Sequence, residues 1–257
     1  MTTETEPPPE APRPARRSDA DAWARPVDRL NLEPRTDGAL TSTVHGKRLA
    51  GPMQGFGRMW QKTFRVRLTG AGAGDEITPQ TVIAAWKEHF PEFWPKGNTF
   101  YAPLAGIRPG EVALLSVGAG GPVRLHTGVM VTYADDESFT LMTPEGHMLA
   151  AWITFSARRD ADGTVIAQAQ ALERTSDPLF ELGYLFPIAR RMNDRFWEQT
   201  LEAVARHHGV EATCETTVVC VDKRRQWRYA GNVRKSVAFR SALHTATAPL
   251  RWLRRGS

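Results

Sequence analysis

Only two cysteines, Cys214 and Cys220, occur in the 257 residues. Six residues apart on one extended segment, they would stand roughly 20 Å from each other, too far for a disulfide. A disulfide scaffold is therefore excluded, and no cysteine–histidine spacing of a structural zinc site is present. Long apolar runs are missing as well. The best candidates are broken at 118–122 or at Pro187 and Arg190, short of the ~20 residues that a spanning helix needs. The first residues lack the apolar stretch of a secretory signal, and Arg16-Arg17 is followed by acidic residues rather than an export motif, so a cytoplasmic location is expected. No Gly-x-Ser-x-Gly elbow, Walker loop or paired-cysteine motif occurs, which removes the enzymes that depend on one. Glycines at 70–74 invite comparison with a dinucleotide loop. Their spacing is wrong for it, and Asp75 and Glu76 would repel a pyrophosphate. Neither metal nor cofactor is expected.

What the chain does have is 41% hydrophobic content, enough for a substantial core. Its net charge of +5 is unevenly placed. Residues 211–257 hold ten Lys/Arg against Glu211, Glu215 and Asp222, an excess of +7, and the rest of the chain nets −2. Any attraction to an anionic surface is thus expected in the tail.

Four regions follow from composition and periodicity. Residues 1–28, rich in Pro, Ala, Arg and acids, read as a disordered leader, and 29–57 as an irregular, Gly-rich lead-in. Residues 58–209 form the folded domain and 210–257 a basic extension. Within the domain, alternation predicts a strand at 60–69 and five more at 111–117, 124–133, 138–143, 147–157 and 164–172. Thr78-Pro79 opens a short helix, and 92–110 reads as an aromatic, Pro- and Gly-rich loop or broken helix. Ser176-Asp177-Pro178 opens a long helix ending near Gly209. Leu179, Leu182, Phe186, Ala189, Phe196 and Val204 mark its buried face, and Pro187 predicts a kink about one turn earlier.

This order resembles the helix-grip superfamily (SRPBCC) of START lipid-binding domains, polyketide cyclases and birch-pollen allergen relatives. The stretches GHMLAAWITFSA and ERTSDPLFELGYLFPIARRMNDRFWEQTL are similar to a bacterial group within it, the DUF1990 family, over residues 58–208. The resemblance implies an α+β fold, a curved antiparallel sheet wrapped around a long C-terminal helix, with an apolar cavity between them. It implies an apolar small molecule or lipid as partner. It carries no catalytic residue set with it.

Polar candidates for that cavity are His126, Tyr133, His147, Trp152, Thr154, Gln168, Gln170 and Glu173, with Phe186 from the helix. Gln168 and Gln170 share one face of a strand whose other face carries Ala167, Ala169 and Ala171, and either face could line the cavity. His147 reads as a general acid or base tuned by Glu145 or Glu173, or as a turn histidine. The alternative to a binding protein is accordingly a cyclase- or aromatase-like enzyme that uses polar groups in the same cavity. For the tail, 232–257 reads as a basic amphipathic helix that either makes peripheral contact with the inner membrane surface or docks on the domain. Interleaved Arg, Trp and Tyr are present, but without a stacking platform no specific nucleic acid is expected.

Overall fold

The computed structural model describes residues 19–32, 41–69, 76–118 and 124–237. Its first long strand, β1 (Met59–Leu68), buries Lys62, Phe64, Val66 and Leu68 on one face, as its alternation dictates. Helix α1 (Pro79–Glu88) follows. Thr78 and Thr81 exchange side-chain and backbone hydrogen bonds in a reciprocal cap, and Pro79 stands where no amide is needed. Next come β2 (Thr99–Tyr101), β3 (Val112–Gly118), β4 (Arg124–Ala134), β5 (Ser138–Met142), β6 (Leu149–Arg159) and β7 (Val165–Thr175). β2 lies inside the segment expected to be loop or helix, its three residues paired with Leu114, Leu115 and Ser116. A run that short carries too little alternation to be seen.

Asp177 then caps α2 (Pro178–Leu185), accepting from the amides of Leu179 and Phe180. The long helix is in fact two. Phe186 is extended (φ −79°, ψ 125°), and α3 (Pro187–His207) restarts with Pro187 in its first turn. The break thus falls on the residue before the proline, not a turn earlier, because the proline ring drives its predecessor out of helical geometry. The stripe expected to be buried divides at that point. Val204 is buried with Leu201 and Ala205, whereas Leu179, Leu182 and Phe186 are exposed.

The last strand, β8 (Glu215–Asp222), completes an eight-stranded antiparallel sheet ordered β2-β3-β4-β5-β6-β7-β1-β8. The extension expected from residue 210 is therefore continuous with the sheet. Arg174, 1% exposed, holds it there by donating to Asp222 and to the carbonyls of Arg224 and Gly57. Arg225 pairs with Glu181 of α2 at 3.0 Å. Beyond the strand, a 3-10 helix at 227–235 docks through Asn232, which donates to the carbonyls of Gln54 and Ser176, and through a Lys235–Glu145 pair. The part of the tail expectation that covers 238–257 lies outside the described residues. Gly146 sits under this docked segment with φ +85°, and a Cβ there would strike the Lys235 carbonyl. Gly146→Ala is expected to destabilise the protein by roughly 1–3 kcal/mol through strain and collision, read as a lowered midpoint in urea unfolding.

The leader also differs from expectation where it is described. Trp23 bridges to Tyr133 and packs edge-on against its ring at 4.7 Å, while the Ala24 amide donates to the Thr132 carbonyl. Residues 1–18 lie outside the described residues. The described part of the lead-in covers the outer face of the sheet, where Leu30 and Val44 pack on Leu114 and Met130.

Candidate functional site

Residues facing each other across antiparallel strands share a face of the sheet. Lys62, Phe64, Val66 and Leu68 of β1 stand opposite Ala171, Ala169, Ala167 and Val165 of β7, so the alanines point toward the helices. One half of this inner surface is filled. Trp86 and Phe90, from α1 and its end, pack on Phe139 and Phe155, while Leu201, Val204 and Ala205 of α3 complete the core.

The other half is open space. Between the sheet and the α2–α3 elbow lies a cavity of about 550 Å³. Its walls are Leu125 and Val129 of β4, Leu149, Ala151 and Ile153 of β6, and Ala171 of β7, with Phe180, Met192 and Phe196 from the helices and Trp94 from the loop after α1. Small side chains on β6 and β7 and the separation of α2 from α3 together leave this volume. A recess walled largely by apolar side chains, with polar groups among them, is the usual form of a small-molecule site.

His147, Lys96 and Arg195 are among its polar lining, and three further polar residues stand at a buried charge cluster. Glu173 and Asn193 line the cavity, and the Asn193 amide donates to Glu173 at 3.4 Å. Behind them Lys62, 2% exposed, reaches Glu173 at 2.9 Å and Asp194 at 2.7 Å. Burial alone would lower the Lys62 pKa, but the charges and hydrogen bonds of the two carboxylates outweigh it and raise it above 10.5. Tyr184, also in the lining, holds its ring 5.8 Å from the Lys62 ammonium. Burial first, then the charges of Glu173 and Asp194, push its hydroxyl well above 10 and keep it a neutral donor. Lys62 and Asp194 were not among the expected residues. Parity carried the signal for Lys62, since it shares a face with Phe64, Val66 and Leu68. Asp194 looks like part of the polar side of α3 until its partner, 132 residues away, is known.

Among the expected residues, the structure brings His147 and Glu173 to the cavity. Gln168 and Gln170 lie on the outer face, where Gln168 accepts from Arg65 and Gln170 donates to Thr63. Trp152 and Thr154 alternate with the inward Ala151, Ile153 and Phe155 and also face out, Thr154 hydrogen-bonded to Thr140 at 2.9 Å. His126 points away from the cavity because Leu125 and Thr127 point in. Tyr133 would be inward by simple alternation. A register shift between Val131 and Tyr133 turns it out toward Trp23 and Asp135. Phe186 is 63% exposed, displaced by the helix break.

His147 is buried with Nδ1 3.0 Å from both the amide and the carbonyl of Leu149, rather than bonded to a carboxylate. Burial lowers its pKa to about 4, against a smaller upward pull from the Leu149 hydrogen bond. The ring is neutral at pH 7. Because the folded pKa lies below the unfolded 6.5, its contribution is complete above pH 6.5 and is lost as pH falls toward 4. At about 1.4 kcal/mol per pH unit the full loss is on the order of 3 kcal/mol. His147→Asn, which keeps a hydrogen-bonding side chain, is expected to flatten the fall in unfolding free energy between pH 6.5 and 4.5, measured by denaturant titration at each pH.

The curved antiparallel sheet with helices laid along its inner face defines an α+β helix-grip protein. Residues 49–203, more than half the chain, match the family described as Domain of unknown function (DUF1990), and the chain belongs to that family. Comparison with curated proteins found no match. Among solved structures, a START superfamily protein from Mycobacterium smegmatis is 19% identical, covering 60% of this chain and 98% of its own, with a TM-score of 0.39. A conserved protein from Geobacillus kaustophilus is 8% identical over 60% of this chain and 99% of its own, with a TM-score of 0.43. Ara h 8.0201 is 15% identical over 58% and 97%, with a TM-score of 0.40. No helix among the described residues is long and apolar enough to cross a membrane, and no cluster of three potential metal-ligating side chains occurs among them.

Proposed function

We propose that the protein binds an apolar small molecule or lipid in the cavity between the sheet and the α2–α3 elbow. The observation that carries this reading is the cavity itself: about 550 Å³ of space walled by aliphatic and aromatic side chains. The hydrophobic effect drives an apolar body into it, at about 25 cal/mol per Å² of apolar surface removed from water. A polar end group on the ligand is received at Asn193 and Tyr184, where an amide and a neutral phenol offer hydrogen bonds beside the Glu173–Lys62–Asp194 cluster. With one ammonium between two carboxylates the cluster keeps one negative charge, so at that end of the cavity a neutral or hydroxyl-bearing end group suits it better than a carboxylate.

The cyclase-like alternative asked for a histidine paired with a carboxylate in the cavity. His147 bonds to Leu149 and His126 faces outward, which supports binding over catalysis. Thermal shift against a panel of apolar compounds tests the reading. A ligand at 100 times its Kd is expected to stabilise the protein by about 2.7 kcal/mol, a rise of several degrees in Tm. Absence of any shift from long-chain alcohols, monoacylglycerols, sterols and polycyclic aromatics would count against it.

A further inference from the structure

The elbow that closes the cavity carries a second feature on its solvent side. Leu179, Leu182, Leu185, Phe186, Ile188 and Met192 are all between 46 and 73% exposed, contiguous across the break between α2 and α3. Isolated exposed apolar side chains need no explanation, but six large ones on a single elbow form a patch of the kind that marks an interaction site. Arg191 and Arg195 are exposed beside Ile188 and Met192, at the helical spacing that puts them on the same side of α3. Neither has an ion-pair partner among the described residues. Of the acids nearest in sequence, Asp194 is paired with Lys62, and Glu198 accepts from the Thr216 hydroxyl of β8 at 2.8 Å.

We infer that this elbow is a membrane-docking face that seats its apolar side chains among the acyl chains of an anionic bilayer while Arg191 and Arg195 meet lipid phosphates. Apolar residues bordered by unpaired arginines are what an interfacial helix requires, since apolar burial and attraction to anionic headgroups act together. A second copy of the chain fits less well. A two-fold interface through this patch would bury the guanidinium groups of Arg191 and Arg195 from both protomers in one seam, four like charges with no ion-pair partner of their own among the described residues. The inference does not depend on what fills the cavity, although Met192 and Arg195 border both the cavity and the patch. A ligand drawn from the bilayer would then pass through the elbow that docks on it.

The test is co-sedimentation of the full chain with vesicles of phosphatidylcholine alone and of phosphatidylcholine with phosphatidylglycerol. Binding is expected to the anionic vesicles and to weaken with salt. Phe186→Glu with Ile188→Glu should reduce the partition coefficient at least about tenfold while leaving the circular dichroism spectrum unchanged. Arg191→Gln with Arg195→Gln should lower both binding and its salt dependence, and this pair keeps the test valid if the first variant misfolds. Arg251→Gln, Arg254→Gln and Arg255→Gln together should leave most of the binding in place. Three results would overturn the inference: no binding by the wild-type chain, loss of binding in the tail variant with the elbow variants unaffected, or a dimer in light scattering that Ile188→Glu dissociates.

Discussion

Lys62→Met is expected to lower the unfolding free energy by roughly 3–5 kcal/mol, the cost of leaving a buried charge without its partner. Lys62 and Glu173 are nearly inaccessible, and the ammonium is the only cation that an ion pair brings to Glu173 among the described residues. With methionine at 62, the methylene packing is retained but Glu173 keeps only the long contact from Asn193. Lys62→Met with Glu173→Met is expected to recover most of the loss, because the costly unmatched charge is the inaccessible Glu173, whereas Asp194, its side chain 22% exposed, can be hydrated. The sign of the pH dependence follows from the raised Lys62 pKa. The stabilisation is complete below pH 10.5 and disappears as pH climbs through the higher folded value, so the wild type but not the double variant should weaken in that range. Chemical denaturation of the three proteins at pH 7 and above pH 10 checks this. A loss below about 1 kcal/mol for Lys62→Met, as for a solvent-screened surface pair, would contradict it.

The second large effect is on binding. Ala151→Phe with Ala171→Phe is expected to abolish uptake of apolar probes while the protein stays folded, at a cost in stability below roughly 3 kcal/mol. Both alanines line the cavity from adjacent strands, and their small size leaves room for a ligand. Adding side-chain volume to a well-packed core strains it by roughly 1–3 kcal/mol, but here the rings enter space that is already open. Apolar surface of the cavity wall is covered in the process, which offsets part of any strain. A naphthalene-based fluorescent probe should therefore brighten with the wild type and stay dark with the variant. Equal brightening in both would place probe binding somewhere other than this cavity.

Much of the fold was legible because it rests on local signals. The caps at Thr78 and Asp177, each followed by proline, fixed two helix starts to the residue, and alternation located the long strands to within a few positions. The Ala167, Ala169 and Ala171 face could be paired with the Gln168 and Gln170 face from sequence, but only the register with β1 decided which of them looks inward. The features that stayed hidden are the non-local ones. Tyr133 is reversed by a single register shift, and Lys62 finds acids more than 100 residues away; the stretch 216–221 reads as a strand from sequence, but its place beside β1 comes only from the pairing. Phe186 shows the limit from the other side. Pro187 signals a disruption in the sequence, yet where the break falls and whether an apolar residue there turns inward depend on where the two helix segments come to rest.

If the proposed function holds, the space under the elbow is occupied by an apolar molecule in the working protein. Native mass spectrometry of the protein purified without detergent, followed by organic extraction, measures this most directly. A mass excess of one small apolar molecule per chain is expected, recovered in the extract and absent from Ala151→Phe with Ala171→Phe. An unliganded mass for the wild type, together with failure to take up any apolar compound offered during refolding, would contradict it.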